Sequence, residues 1–137
     1  MKKLAILFAI FTMGLPVFAS EPIAMDRQMF VERVFDFSSE TWKYKGDKPA
    51  IINFWAPWCA PCRILSRTLT QIAAEFADEI YVYKINIDEQ PELARAFGVR
   101  GVPFSLFVPM EGLPQGAQGA LSRAAIRRNV NNILLNR

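Results

Sequence analysis

The sequence predicts a mixed α/β sheet with helices packed on both faces. Three observations lead there. Short apolar runs of strand length alternate with amphipathic runs of helical spacing. Their order is helix, strand, helix, strand, helix, strand, strand, helix. The chain has 137 residues, 52% hydrophobic and 21% charged, which is enough to bury one core and too few for two substantial domains.

The elements follow in chain order. Asp26 to Phe37 places Met29, Phe30, Val34 and Phe37 at helical spacing, with Asp26 as N-cap. A polar stretch from Ser38 to Lys48 ends in Gly46-Asp47-Lys48-Pro49. Ala50 to Trp55 is a continuous apolar run that suits a buried strand. Ala56 to Pro61 breaks it. A long helix then runs from Cys59 or Cys62 to about Ala77, with Ile64, Leu65, Leu69, Ile72, Ala73 and Phe76 as its apolar stripe. Ile80 to Ile87 alternates and is rich in Ile, Val and Tyr, a strand pattern. Pro91 to Phe97 is a short helix opened by Pro91 and closed by Gly98. Phe104 to Val108 is a third strand, and Gln115 to Ala120 returns after a turn as an edge strand. Ser122 caps a last helix whose inner side carries Ile126, Val130, Ile133 and Leu134.

The start of the chain reads as an address. Met1-Lys2-Lys3 precedes an uncharged stretch from Leu4 to Phe18, and Val17-Phe18-Ala19 fits a cleavage site. Residues 1–19 are expected to be a cleavable secretory signal peptide and residues 20–137 the mature domain. The apolar run is shorter than a spanning helix needs, although an uncleaved anchor is the competing reading. Export implies a periplasmic, oxidising location where disulfides persist. Of 16 basic residues, two go with the leader, leaving 14 against 13 acidic. A nearly neutral domain gives no case for nucleic acid or for stable membrane association after cleavage. Arg123, Arg127, Arg128 and Arg137 cluster at the C-terminus and read as a solvated helix face.

The absence of histidine and the presence of only two cysteines exclude much chemistry. A Ser–His–Asp or Cys–His nucleophile system needs an imidazole. A four-thiolate zinc or iron–sulfur site needs more sulfurs than one chain has. The expectation is no metal and no cofactor. What remains sits at the predicted strand–helix junction, in Trp58-Cys59-Ala60-Pro61-Cys62. A helix N-terminus has unpaired N–H groups and a positive dipole end, which favour thiolate at Cys59. Cys62 lies one turn on, near enough to close a disulfide with it. Pro61 fits the first turn because it needs no N–H partner there. The small Ala60 leaves Cys59 open to a protein partner. Two inert core cysteines, or half of an intermolecular zinc site, are the alternatives, and neither requires this spacing at this junction.

Here the chain resembles the thioredoxin family. Phe54-Trp55-Ala56-Pro57-Trp58-Cys59-Ala60-Pro61-Cys62-Arg63 is similar to the family's active-site segment. Tyr83-Lys84-Ile85-Asn86-Ile87-Asp88 resembles its next strand, and Gly98-Val99-Arg100-Gly101-Val102-Pro103 its cis-proline loop. Gly119-Ala120-Leu121-Ser122 resembles the lead into its last helix. The four lie in order across roughly residues 50–135.

The resemblance implies a thioredoxin fold and thiol–disulfide exchange, with Cys59 as attacking thiolate and Cys62 as resolving thiol. It implies a cis bond before Pro103. It also implies a shallow groove lined by Trp58, Ala60, Pro61, Gly101, Val102, Pro103, Gly119 and Ala120, with Trp55 in the core. Three residues depart from the family pattern. Asn53 stands where a buried Asp is usual, leaving Lys84, similar to that Asp's partner, without its carboxylate. Arg67 replaces a proline that often bends the active-site helix, and so implies a straighter one. Phe104 follows Pro103 where Thr is common, which bears on groove shape.

Strong oxidants in the superfamily tend to carry His between the cysteines, whereas Ala60-Pro61 looks like the Gly-Pro of reducing members. The expected function is a monomeric periplasmic reductase of disulfides in exported proteins, supplied with electrons by a membrane thiol relay. A disulfide oxidase or isomerase, and a non-catalytic binding module using the groove by shape, are the rival readings.

Overall fold

The computed structural model describes residues 20–137, so the proposed leader lies outside the described residues. Five strands and four α-helices follow in order: β1 (Ile23–Ala24), α1 (Arg27–Arg33), β2 (Ala50–Trp55), α2 (Ala60–Glu75), β3 (Tyr81–Asn86), α3 (Pro91–Ala96), β4 (Phe104–Val108), β5 (Gln115–Gln118) and α4 (Arg123–Asn129). A π-helical turn over Val130–Leu134 continues α4. The strands form one sheet in the order β1-β3-β2-β4-β5. β1, β3 and β2 run parallel, β4 pairs antiparallel with β2, and β5 pairs antiparallel with β4 at the edge.

β2 sits at the centre, and its side chains alternate between two cores. Ala50, Ile52 and Phe54 join Phe30 of α1, Leu93 and Ala94 of α3, and Tyr83 and Ile85 of β3. Ile51 faces the other way, onto Leu65, Leu69, Ile72 and Ala73 of α2 and Ile126 of α4. Both faces of β2 are therefore covered, which is why it reads as an unbroken apolar run.

The caps match the chemistry of their residues. Asp26 Oδ1 accepts from Met29 N–H at 2.8 Å and starts α1. Ser122 Oγ accepts from Ala125 N–H at 3.1 Å and starts α4. Gly98, just past α3, has φ +64°, the left-handed conformation that glycine adopts without steric cost.

Three expectations need correction. The first helix ends at Arg33 rather than reaching Phe37. Asp36 Oδ1 accepts from Ser38 N–H at 2.9 Å and closes a local turn, which draws the chain out of the helix. Phe37 instead stacks on Phe30 from that turn. Ile64 is 66% exposed and does not belong to the buried stripe. It sits about 100° round the helix from Leu65, outside the arc facing the sheet. The C-terminal arginines are more than a solvated face. Arg123 and Arg127 both bind Glu75 of α2, and Arg137 binds Glu79.

Strand β1 has no counterpart in the sequence reading. Two residues are too few for a periodicity, and Met25 N–H bonding to the Lys84 carbonyl at 2.9 Å extends its pairing to β3.

Candidate active site

The site forms where β2 ends and α2 begins. Cys59 is the N-cap of α2, with extended backbone, and Ala60-Pro61 make the first turn. The Cys62 backbone N–H points at Cys59 Sγ, 3.3 Å away. A sulfur here receives an amide hydrogen and the positive end of a helix of 16 residues. Cys59 and Cys62 form a disulfide with their Cα atoms 5.3 Å apart, an ordinary bridging separation. Both residues are nearly buried, Cys59 at 5% and Cys62 at 3% exposure. Cys59 is thus less open in the disulfide form than its small neighbour Ala60 implied. Access comes from the surroundings instead, since Trp58, Ala60 and Pro61 are exposed around it.

The far wall is the loop before β4. The Val102–Pro103 peptide bond is cis. Val102 packs on the cluster of Ala56, Cys59 and Cys62. Gly119 N–H donates to the Pro103 carbonyl at 2.9 Å, bringing Gly119 and Ala120 to the same rim. Of the residues assigned to the groove, Val102 packs beside the cysteines, Pro103 is buried, and Gly101, Ala120 and part of Val102 are in contact with solvent.

Behind the disulfide lies a cavity of about 90 Å³ lined by Pro22, Asn53, Trp55, Cys62, Arg63, Ser66, Leu69 and Lys84. Asn53 is 3% exposed, and its Nδ2 reaches Ser105 Oγ at 3.3 Å and the Phe104 carbonyl at 3.4 Å. Lys84 Nζ lies 5.8 Å from the centre of the Trp55 ring, within cation–π range. Trp55, expected in the core, is half-buried and forms part of this wall. The cavity's lining carries two cations and no carboxylate.

Three residues of the site were not singled out from the sequence. Asp88 accepts the Trp58 indole N–H, with oxygens at 3.1 and 3.3 Å. Pro22, beside β1, closes the cavity. Gln118, at the end of β5, bonds to the cis-proline loop. Only Asp88 had a signal in the chain, as the last residue of the motif that includes Lys84.

Phe104, which follows Pro103, is half-buried. Its ring packs in the α1/α3 core, 6.1 Å from the Phe54 ring centre, and lies over Gly116. Arg67 sits within α2, which runs unbroken from Ala60 to Glu75. Among the described residues no group of three or more His, Cys, Asp or Glu could hold a metal ion, and no helix is long and apolar enough to cross a membrane.

A disulfide between cysteines three positions apart at a helix N-terminus, faced by a cis-proline loop on a five-stranded mixed sheet, defines a dithiol/disulfide exchange oxidoreductase. The chain belongs to the thioredoxin family, whose description, Thioredoxin, matches residues 30–132. It is 33% identical to the thioredoxin of Borreliella burgdorferi over 111 residues, covering 80% of this chain and 95% of that one. It is 41% identical to the thioredoxin of Acidithiobacillus ferridurans over 93 residues, covering 68% and 86%. Among solved structures, chloroplastic thioredoxin z superposes with a TM-score of 0.70 at 27% identity, covering 82% of this chain and 94% of that one. As in its family, the redox group is the protein's own disulfide, and no further cofactor is required.

Proposed function

We propose that the protein is an exported, periplasmic reductase of protein disulfides. The observation that carries the exchange chemistry is the placement of Cys59 Sγ at the start of α2, within reach of the Cys62 N–H. In the reduced protein Cys59 thiolate would attack one sulfur of a substrate disulfide. The S–S bond breaks, the distal substrate sulfur leaves as thiolate, and a mixed disulfide forms on Cys59. Cys62, having lost its proton, then attacks Cys59 Sγ and expels the second substrate thiolate. Two electrons pass from the cysteine pair to the substrate, and the two protons end on the released thiols.

The resolving proton has no carboxylate to go to, because Asn53 cannot act as a base. The cavity is wide enough for solvent, and Lys84 and Arg63 favour the anion left behind. The groove of Trp58, Ala60, Pro61, Gly101, Val102, Pro103, Gly119 and Ala120 would take an extended peptide. Val102 offers it a backbone N–H and C=O with no partner among the described residues.

The reducing direction rests on Ala60-Pro61 and the absence of imidazole. It predicts a potential nearer about −270 mV than the roughly −120 mV of a strong oxidant. An oxidase or isomerase has one observation in its favour: a cavity lined by two cations and no carboxylate stabilises thiolate, and so the reduced form. Equilibration with glutathione separates the two, and a potential above about −170 mV rejects the reductase. A binding module would keep its function in Cys59→Ser.

Export rests on the leader-like residues 1–19. The partners would be exported proteins with disulfides, and a membrane thiol relay as electron donor. The test is expression of Cys62→Ser with the native N-terminus. Mixed disulfides on Cys59 in the periplasmic fraction, on a chain beginning at Ser20, are the expected result. An uncleaved cytoplasmic chain would overturn the location, and an absence of mixed disulfides the mechanism.

A further inference from the structure

Gln118 closes β5, at the rim opposite the cysteines. Its Nε2 donates to the Gly101 carbonyl at 3.2 Å and to the Pro103 carbonyl at 3.1 Å. Both amide hydrogens are thereby used, one on each side of Val102. The reversed amide would set an oxygen against two carbonyl oxygens, so the chemistry fixes its orientation. The same nitrogen lies 3.5 Å from where a Cβ on Gly101 would stand, which shows how closely the side chain follows the loop. Pro103 also receives the Gly119 N–H, so its carbonyl is doubly held. The Gly101 carbonyl has only Gln118 as a partner among the described residues.

The consequence falls on Val102. Its neighbours' carbonyls are turned toward Gln118, while its own N–H and C=O have no protein partner among the described residues. We propose that Gln118 is a positioning residue for substrate: a side-chain clamp that holds the cis-proline loop with the Val102 edge preset for an extended peptide. This rests on the groove reading above. A loop fixed before binding loses less freedom when the peptide arrives, so the clamp acts on affinity for polypeptide substrates. It touches neither sulfur, so it leaves the sulfur chemistry alone.

The test uses the mature protein, reduced with dithiothreitol and desalted, and two disulfides. Insulin presents a polypeptide backbone, and bis(2-hydroxyethyl) disulfide presents none. Gln118→Met keeps the length of the side chain and removes both donors. Gln118→Glu keeps the shape and places a carboxylate against two carbonyls. For insulin the half-saturating concentration is expected to rise about three- to tenfold in Gln118→Met, the order expected for lost neutral hydrogen bonds. It should rise further in Gln118→Glu, with the limiting rate little changed in both. The rate with bis(2-hydroxyethyl) disulfide and the potential against glutathione are expected to stay within about twofold and about 10 mV of wild type. An unchanged insulin half-saturation in both variants overturns the clamp, as does an equal loss on both disulfides. A wild-type protein that reduces neither disulfide overturns the underlying reductase reading, and the inference with it. Wild-type competence separates that failure from a failure of the clamp alone.

Discussion

Asn53 and Lys84 stand in register on the parallel pair β2–β3 and line the same cavity, with Cys62 on the wall between sheet and α2. The amide of Asn53 is turned to Ser105 and the Phe104 carbonyl, so neither neighbour on the sheet supplies an acid. The charges facing the cavity are Lys84 from β3 and Arg63 from α2.

Asn53→Asp restores a base and adds a negative charge beside the nascent Cys62 thiolate. Resolution of a mixed disulfide should then acquire a second ionisation, moving the half-maximal pH by about one unit or more. Lys84→Met removes a cation and should move that pH upward. Stopped-flow resolution of a preformed mixed disulfide across pH 5 to 9 (roughly the range in which carboxylates and thiols titrate) reads both. A profile identical in wild type and Asn53→Asp would show that position 53 plays no part in proton removal.

Trp58 is 66% exposed, yet its indole N–H is tied to Asp88. The tie restrains an otherwise solvent-exposed ring one residue before Cys59. Asp88→Ala should slow insulin reduction about two- to fivefold, the effect of losing one exposed hydrogen bond to a charged group. Asp88→Asn, which keeps an acceptor oxygen, should recover most of that loss. Equal rates in all three proteins would mean that the ring's position is irrelevant to exchange.

Much of this site was legible because it is local. The Cys59–Cys62 spacing, the strand feeding it and the Pro61 turn lie within one stretch of chain, and strand β2 begins and ends where its apolar run does. The cis bond at Pro103 is not readable from spacing, and only the resemblance pointed to it. The cavity's outer wall was invisible because Pro22 is brought to it by the two-residue strand that follows, paired to β3. Gln118 was missed for a similar reason. An exposed polar residue in a Gln/Gly edge strand has no pattern, and its partners lie 15 and 17 positions away. Ile64 failed in the opposite sense, as an apolar residue at near-helical spacing that falls just off the buried arc.

Phe104 bears on groove shape in the sequence reading, and its half-buried ring covers Gly116 and packs against the α1/α3 core. A Cβ at position 116 would collide with that ring. Phe104→Thr should therefore act on stability, costing about 1–3 kcal/mol, less than the truncation of a fully buried Phe. Gly116→Val should also destabilise, by a clash instead of a void. Urea unfolding of the oxidised proteins measures both. A Phe104→Thr variant of native stability with altered insulin half-saturation would return Phe104 to the groove.

Glu75 joins the end of α2 to α4, with one oxygen 2.9 Å from Arg123 and the other 2.7 Å from Arg127. The hydrogen bond from Arg123 is the largest influence, and together with the charges of Arg127 and Arg123 it outweighs the opposing desolvation and holds the carboxyl below its usual value of 4.5. A carboxyl whose folded value is depressed binds its proton more readily in the unfolded chain. The stabilisation is therefore fully present above the unfolded value and is lost as the pH falls through the folded one. Glu75→Gln keeps the shape and removes the charge. At pH 7 it should cost about 0.5–1 kcal/mol, the scale of a surface ion pair. Wild type and variant should converge as the pH falls through the lowered folded value, and at pH 7 the difference should shrink in about 1 M salt. Thermal unfolding at pH 7 and pH 3 gives the comparison. A gap of the same size at both would assign the effect to packing of the side chain and not to its charge.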